Sequence, residues 1–415
     1  MTGFVKLVQP IVIQKALGAV VTDVYGRDYI DCFAGISVVN AGHNHPAVMN
    51  AACGQIENLI HCCSYMYYSQ PTAALAEKMA QITPGRLKKS FFANSGAEAV
   101  EGALKLARLY TGKREVIALQ CSFHGRTWGA LSVTGNADRK RRGGPFAPGV
   151  TFAPAPDIYR APRHPQDWTQ SFEDIVRFST SGDVAAFIAE PVLGEGGIIV
   201  PPPQYFAEIK KVLDRYGILF IADEVQTGFG RTGKMFAIEH YGVEPDILVT
   251  GKGIADGFPL AAFTAGDEIA AAFRPGDHLS TFGGNPVCCA AALANIGVIE
   301  EKNLCAKSSQ DGEYVVGKLR SLRKHYPFIG DVRGLGLMIG VELVAGEDRE
   351  PAPAQAESIR AACLKKGVLI GVGGVNGNVL RFQPPLVITR QQIDTALEAV
   401  AESLAELSCP RQINT

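Results

Sequence analysis

Ile218-Leu-Phe-Ile-Ala-Asp-Glu-Val-Gln-Thr-Gly228 opens on an unbroken apolar run and turns polar at Asp223. A short run that is apolar at every position, bounded here by Tyr216-Gly217, predicts a strand covered on both faces, as in a parallel sheet. Asp223 then stands at the carboxyl end of that strand. A second run, Asp246-Ile-Leu-Val-Thr-Gly-Lys-Gly-Ile254, delivers Lys252 just past another such strand. Open α/β sheets hold ligands outside the carboxyl ends of their strands, so acid and amine face one rim. A carboxylate there is costly to bury without a positive partner.

Working outward, strands and helices alternate from about Leu87 to Val298, which predicts a mostly parallel sheet with helices on both faces. The strand candidates are Ser90–Ala93, Val116–Gln120, Ala185–Glu190, Ile218–Ala222, Ile247–Thr250 and Ala261–Ala265. Between the second and third, Gly143–Gln166 is rich in proline and too polar for a core, and reads as a long irregular loop. After Pro286 the pattern predicts a helix to about Glu300, another over Gln310–His325, strands Met338–Val344 and Val379–Phe382, and between those strands a helix over Ala354–Lys366. Near the start, Ala19–Asp23 and Tyr29–Cys32 around Tyr25-Gly-Arg-Asp28 suggest a hairpin. The expected organisation is an N-terminal segment, 1–48, packing with the C-terminal unit; a large cofactor-binding unit, 49–300; and a small α+β unit, 301–415.

At 415 residues the chain exceeds one typical core, and 47% apolar with 20% charged residues is an ordinary soluble composition. The net charge of -1 gives no electrostatic reason to expect nucleic acid or an anionic membrane as partner. The one dense basic run, Asp138-Arg-Lys-Arg-Arg142, reads as a solvated loop. No stretch reaches the roughly 18 apolar residues of a spanning helix, and Met1–Pro10 lacks the layout of a signal peptide, so a cytoplasmic location is expected. The ten cysteines include the adjacent pairs Cys62-Cys63 and Cys288-Cys289 without a framework spacing, and predict buried free thiols. His61-Cys62-Cys63 and His43-Asn44-His45 lack a second ligand cluster, so no metal is expected.

An acid and an amine on one rim are what pyridoxal phosphate needs: a lysine for the Schiff base and a carboxylate to keep the pyridine nitrogen protonated. A salt bridge at a sheet edge is the plainer alternative. Ser90-Phe-Phe-Ala-Asn-Ser-Gly-Ala-Glu-Ala-Val100 reads as strand, turn and helix, with Ser95 and Glu98 at capping-box spacing. A helix starting at Gly96 offers free N–H groups to a phosphate, or is simply a capped helix. Phe123, in Phe123-His-Gly-Arg126, can stack on a flat ring with Val225 on its other face, or belong to the core. Gln226 can reach a phenolic oxygen, or lie in solvent. Gly371-Val-Gly-Gly-Val-Asn-Gly377 is no dinucleotide site, since a strand rather than a helix follows it.

Together these segments resemble, in order and over nearly the whole chain, the class III (ω-amino acid) branch of pyridoxal-phosphate aminotransferases. Ser95-Gly-Ala-Glu-Ala, Phe123-His-Gly-Arg-Thr127, Glu190-Pro-Val-Leu-Gly-Glu195, Ile221-Ala-Asp-Glu-Val-Gln-Thr-Gly228, Gly251-Lys-Gly253, Thr281-Phe-Gly-Gly-Asn-Pro286 and Gly330-Asp-Val-Arg-Gly-Leu-Gly336 carry the likeness. The resemblance implies fold type I, an α/β architecture with a mostly parallel seven-stranded sheet, helices on both faces and a smaller α+β domain. It implies that Lys252 holds the cofactor covalently and Asp223 pairs with the pyridine nitrogen. Phe123 and Val225 would then sandwich the ring, with Gln226 at its phenolic oxygen. Ser95, Gly96 and Ala97 would form the phosphate cradle, Gly96 and Ala97 through their backbone N–H groups. It also implies that Thr281 reaches the phosphate of a neighbouring subunit, in a homodimer or dimer of dimers with shared active sites.

For substrates, the resemblance implies that Glu195 pairs with Arg381 while an ω-amino donor is bound and swings away when a 2-oxo acid arrives. Arg381 then grips the α-carboxylate, for which a planar guanidinium is suited. Arg126 would hold the other carboxylate. An ion-pair network at a domain junction is the bland reading of all three. Ile36, where ornithine enzymes resemble one another in having tyrosine, points toward the 4-aminobutyrate enzymes, although one apolar side chain discriminates weakly. Gly35-Ile-Ser-Val-Val-Asn40, Asn285-Pro-Val287 and Gly367-Val-Leu-Ile-Gly-Val-Gly-Gly374 resemble alanine–glyoxylate enzymes as well, which tend to lack the counterparts of Arg126 and Glu195. The expected activity is transfer from a 4-aminobutyrate-like ω-amino acid to a 2-oxo acid such as 2-oxoglutarate by a ping-pong mechanism. Alanine–glyoxylate, ornithine and acetylornithine-type transfer, and class III racemases or epimerases, are the alternatives.

Overall fold

A computed structural model describes residues 9–160 and 167–408. Its centre is a seven-stranded sheet in the order Lys89–Ala93, Ala261–Ala265, Ile247–Thr250, Leu219–Asp223, Val184–Ala189, Glu115–Leu119, Val150–Ala153. Only Ala261–Ala265 runs against its neighbours; the other pairings are parallel. The mostly parallel α/β sheet expected from the apolar runs is therefore present, each predicted strand lying within a residue of its place.

Both faces of this sheet are covered, which is why its strands carry no polar alternation. Along Leu219–Asp223, Leu219 and Ile221 join one core with Ala99, Val100, Ala103 and Ala107 of the helix Gly96–Thr111. Phe220 and Ala222 join the opposite core with Phe206, Ile209 and Leu213 of the helix Tyr205–Tyr216. Each large side chain so buried stabilises the fold by about 1.5–3 kcal/mol. The period of two then places Asp223 on the face of Leu219 and Ile221, beneath the start of the helix Gly96–Thr111. That helix is pressed against the sheet at Gly102, where an added Cβ would meet the Phe263 ring at 2.3 Å. It stops at Gly112, whose φ of 68° allows its N–H to close on the Arg108 carbonyl.

The loop expected over Gly143–Gln166 is corrected in part. Val150–Ala153 is the seventh strand, paired in parallel with Glu115–Leu119 at the sheet edge. Four residues between Gly149 and Pro154 are too few for a periodic signal, and an edge position tolerates the flanking breakers. The last part of that segment, 161–166, lies outside the described residues, as does most of Met1–Pro10.

Beyond the helix Pro286–Glu301, the strands Ile329–Leu335, Met338–Ala345, Val379–Phe382 and Gly371–Gly373 form an antiparallel sheet. Helices Leu304–Arg323, Pro353–Lys365 and Arg390–Ser408 accompany it. The N-terminal hairpin, Val20–Asp23 with Asp28–Asp31, gains a parallel partner in Val368–Leu369, which ties the first residues to the last third of the chain.

The nine described cysteines are free; Cys32, Cys288, Cys289 and Cys363 are buried, whereas Cys53 is exposed. Cys409 lies outside the described residues. The histidines weighed as ligands have other work: His43 pairs with Asp31, His45 caps the helix Pro46–Asn58, and His61 packs on Phe282. Among the described residues no helix is long and apolar enough to cross a membrane.

Candidate active site

At the carboxyl ends of the central strands a cavity of about 300 Å³ is lined by Gly96, Ala97, Phe123, Arg126, Asp223, Val225, Gln226 and Lys252, together with His124 and Glu190. Eight of the thirteen residues singled out in the sequence thus converge on one space.

Lys252 follows Ile247–Thr250 at a φ of 43°, a left-handed conformation that costs a non-glycine residue about 1–3 kcal/mol and persists where the surroundings impose it. They do so from three sides. Asn295, from the helix Pro286–Glu301, donates to the carbonyls of Gly253 and Ile254 at 2.8 and 3.0 Å. A Cβ on Gly253 would meet Asn40 Nδ2 at 2.5 Å, and one on Gly251 would meet Val225 at 3.3 Å. Burial pushes the Lys252 amine below its ordinary value; Glu195 opposes that shift and Arg381 adds to it. A lowered amine pKa favours the neutral, nucleophilic form.

Asp223 is 3% exposed, and its carboxylate is fixed by two bonds. Oδ2 lies 2.7 Å from His124 Nδ1, and Oδ1 accepts the Val225 N–H at 3.0 Å. His124 is buried, and its Nε2 has no hydrogen-bond partner among the described residues. Beside them Glu190 accepts N–H groups from Phe123 and Gly194, both at 2.9 Å, and burial raises its pKa to about 7. Sequence reasoning assigned no role to His124 or Glu190. Their signal was present in the motifs Phe123-His-Gly-Arg-Thr127 and Glu190-Pro-Val-Leu-Gly-Glu195, but the contact of His124 with Asp223 and that of Glu190 with the Phe123 N–H cannot be read from linear order.

The helix Gly96–Thr111 points its free N–H groups at this cavity. Ser95 is its N-cap: its Oγ accepts the Glu98 N–H at 3.3 Å, while the Glu98 carboxylate reaches back to the Asn94 N–H at 2.7 Å. The reciprocal bond thus falls one residue before the cap, and Ser95 itself is exposed rather than lining the cavity. Gly96 approaches Val225 so closely that a Cβ would lie 2.9 Å from both Val225 methyls. Gly96→Val is therefore expected to close the cradle and weaken cofactor binding roughly tenfold or more. Equilibrium dialysis measures this, with circular dichroism confirming that the helix persists.

Arg381, on Val379–Phe382, is 1% exposed and fully engaged. Nη1 donates to Glu195 Oε1 at 2.7 Å, Nη2 to Gln226 Oε1 at 2.7 Å and Nε to Gln383 Oε1 at 3.0 Å. Glu195 sits on a turn between the bridge partners Leu193 and Ile199. Arg333 clamps that turn through the carbonyls of Gly197 and Ile198. Gln226 is not a solvent-facing loop residue; its oxygen also accepts from Gln383 at 3.0 Å, and it is 6% exposed. Arg126 is exposed at the cavity edge, 5.6 Å above the Phe123 ring, with no ion-pair partner among the described residues. Two predicted site residues lie apart: Thr281 is exposed on the loop before Pro286, and Ile36, 39% exposed at a φ of 71°, is not among the cavity's lining. The reading of Asp138–Arg142 as a solvated loop is corrected only as to the loop, since Asp138, Arg139, Arg141 and Arg142 are exposed. Ala137–Lys140 is a short helix, and Arg139 Nη2 comes within 3.9 Å of Glu195 Oε2.

The residues present fit pyridoxal phosphate: a side-chain-free helix start for a phosphate, apolar Val225 and Phe123 for a ring, a charge-fixed carboxylate and an amine. A sheet of this topology carrying this rim defines a pyridoxal-phosphate-dependent transferase. The class-III aminotransferase family model matches residues 5–404, and the chain belongs to that family. The acetylornithine aminotransferase of Methanosarcina acetivorans is 45% identical over 95% of this chain and 92% of its own. The "Probable 4-aminobutyrate aminotransferase" of Bacillus subtilis is 40% identical over 94% and 92%. The leucine/methionine racemase of Thermococcus litoralis is 39% identical over 96% and 91%. Among solved structures, an amine transaminase from an uncultivated Pseudomonas species in its cofactor-bound form superposes with a TM-score of 0.90 at 34% identity, covering 96% of this chain and 95% of that one. The chain is therefore a class III, pyridoxal-phosphate-dependent aminotransferase.

Proposed function

We propose that this enzyme moves the terminal amino group of an ω-amino acid to a 2-oxo acid such as 2-oxoglutarate, donor and acceptor using the same cavity in turn. The observation that carries this reading is the 2.7 Å pair of Glu195 with Arg381, which Gln226 joins to the Lys252 cavity. With Arg381 neutralised, the site accepts a donor whose reacting end bears no carboxylate. With Arg381 free, it grips the α-carboxylate of a 2-oxo acid through parallel hydrogen bonds. Arg126, exposed and unpaired at the edge, is placed for the far carboxylate of either substrate.

When bound, pyridoxal phosphate supplies the electron sink for the substrate carbon. The Lys252 amine removes and returns the proton at that carbon, a role its lowered pKa favours. Asp223, oriented by His124, presents fixed negative charge to the ring nitrogen. The N–H groups of Gly96 and Ala97 would hold the phosphate, Val225 and Phe123 would flank the ring, and Gln226 would offer its amide to the phenolic oxygen. Ser95 supports this cradle as the helix cap; a substrate role for Ile36, which lies outside the cavity's lining, rests on the family likeness alone. Thr281, exposed and outside its own chain's cavity, fits a role across a dimer. Residues 1–48, 49–300 and 301–415 remain our division of the chain.

Among ω-amino donors, the likeness to an acetylornithine enzyme at 45% and to a 4-aminobutyrate enzyme at 40% supports testing both substrates side by side. The racemase likeness at 39% supports a second reading in which Lys252 exchanges the proton of one amino acid without an oxo acid. Glu195→Ala separates the two. It leaves the Arg381 charge unpaired, so reaction from an ω-amine is expected to fall on the order of tenfold more than reaction from glutamate, as single-turnover rates will read. Equal losses would set the paired-carboxylate reading aside.

A further inference from the structure

The carboxylate of Glu195 stands between two guanidinium groups. Oε1 is hydrogen-bonded to Arg381 Nη1 at 2.7 Å, and Oε2 lies 3.9 Å from Arg139 Nη2. The second distance is inside ion-pair range but too long for a hydrogen bond, so Arg139 now contributes charge rather than a bond. Burial opposes ionisation of Glu195, yet Arg381, with Lys252 and Arg139, outweighs it and holds the carboxyl below its ordinary value. Glu195 is thus held as an anion in its pairing with Arg381. Its side chain is only 20% exposed, and a carboxylate leaving Arg381 at that depth needs another cation.

The other cations nearby are committed. Lys252 is the reacting amine. Arg126 lies over Phe123 at the edge reserved for the far carboxylate. Within the basic run, Arg141 pairs with Asp138 and Lys140 lies 4.1 Å over the Phe152 ring. Arg139 instead reaches Glu195, which among the described residues is its one ion-pair partner. Its side chain is 41% exposed, which leaves it room to move. Closing the gap to the roughly 2.8 Å of a charge-assisted bond takes about 1 Å, within a side-chain adjustment.

We propose that Arg139 is the second docking point of Glu195, a positioning residue that receives the carboxylate and so releases Arg381 for the 2-oxo acid. The inference rests on the ω-aminotransferase reading. It assigns to a charge in a basic surface run the task of balancing the two half-reactions: without Arg139, Glu195 stays on Arg381 and competes with the acceptor's α-carboxylate.

The test compares both half-reactions of the holoenzyme, ω-amino donor and 2-oxoglutarate, in Arg139→Gln, Arg139→Lys, Glu195→Ala and the double variant Arg139→Gln/Glu195→Ala. Arg139→Gln is expected to raise the KM for 2-oxoglutarate on the order of fivefold while the donor half-reaction stays within about twofold. Arg139→Lys should restore most of that loss. In the Glu195→Ala background, Arg139→Gln should do nothing further, since the carboxylate that needs docking is gone. Equal losses in both half-reactions, or the same loss with and without Glu195, would overturn the assignment. If Glu195→Ala itself shows no preference between donors, the ω-aminotransferase reading falls and takes this proposal with it. If Glu195→Ala behaves as expected and Arg139→Gln is silent, only the role of Arg139 falls.

Discussion

Lys252→Ala is expected to lower transamination by more than about 10⁴-fold, because on the proposed assignment one change removes both the covalent attachment of the cofactor and the proton-transferring amine. The fold should survive. Among the described residues the Lys252 side chain makes no hydrogen bond that holds the chain together, and the turn around it is pinned by Asn295 through the carbonyls of Gly253 and Ile254. Replacing a residue at a φ of 43° by alanine trades one strained side chain for another. The visible absorbance of the bound cofactor should shift in the variant, and an added primary amine should recover part of the activity. A variant that unfolds, or one that keeps its spectrum and its rate, would contradict the role of Lys252.

Asp223→Asn is expected to cost on the order of 10²–10³-fold in rate, the scale on which a single preorganised electrostatic partner acts in a closed site. The substitution keeps shape and volume but removes the charge that would hold a protonated ring nitrogen. It also changes what His124 meets: the carboxylate 2.7 Å from Nδ1 becomes an amide. His124→Asn should act in the same direction and more weakly, since it disturbs only the orientation of Asp223. Single-turnover rates with glutamate measure both, and Asp223→Asn should weaken proton transfer far more than substrate binding. A change confined to KM would argue that Asp223 serves packing rather than chemistry.

What the sequence discloses follows from how local each feature is. The strand Leu219–Asp223 is legible because a sheet covered on both faces must be apolar at every position, and the carboxylate that breaks the run marks its end. The helix start at Gly96 is legible because capping involves residues three apart, and the reciprocal bond merely shifted by one, onto the Asn94 N–H. The edge strand Val150–Ala153 escaped, since four residues between glycine and proline carry no period and are held by pairing with Glu115–Leu119. His124, Glu190 and Arg139 escaped for a different reason: each acts on a residue distant in sequence, and nothing in a linear run of charges says which one reaches Glu195. Arg381, on the expected strand Val379–Phe382, shows its setting only through the three acceptors converging on it.

The proposed function has one cavity serve two substrates in turn, and labelled nitrogen tests that directly. Holoenzyme supplied with amino-¹⁵N 4-aminobutyrate or δ-¹⁵N acetylornithine and with 2-oxoglutarate should deliver the label to glutamate, and Lys252→Ala should deliver none. Unlabelled glutamate pools with both donors, accompanied by racemisation of a single amino acid in the absence of any oxo acid, would contradict it.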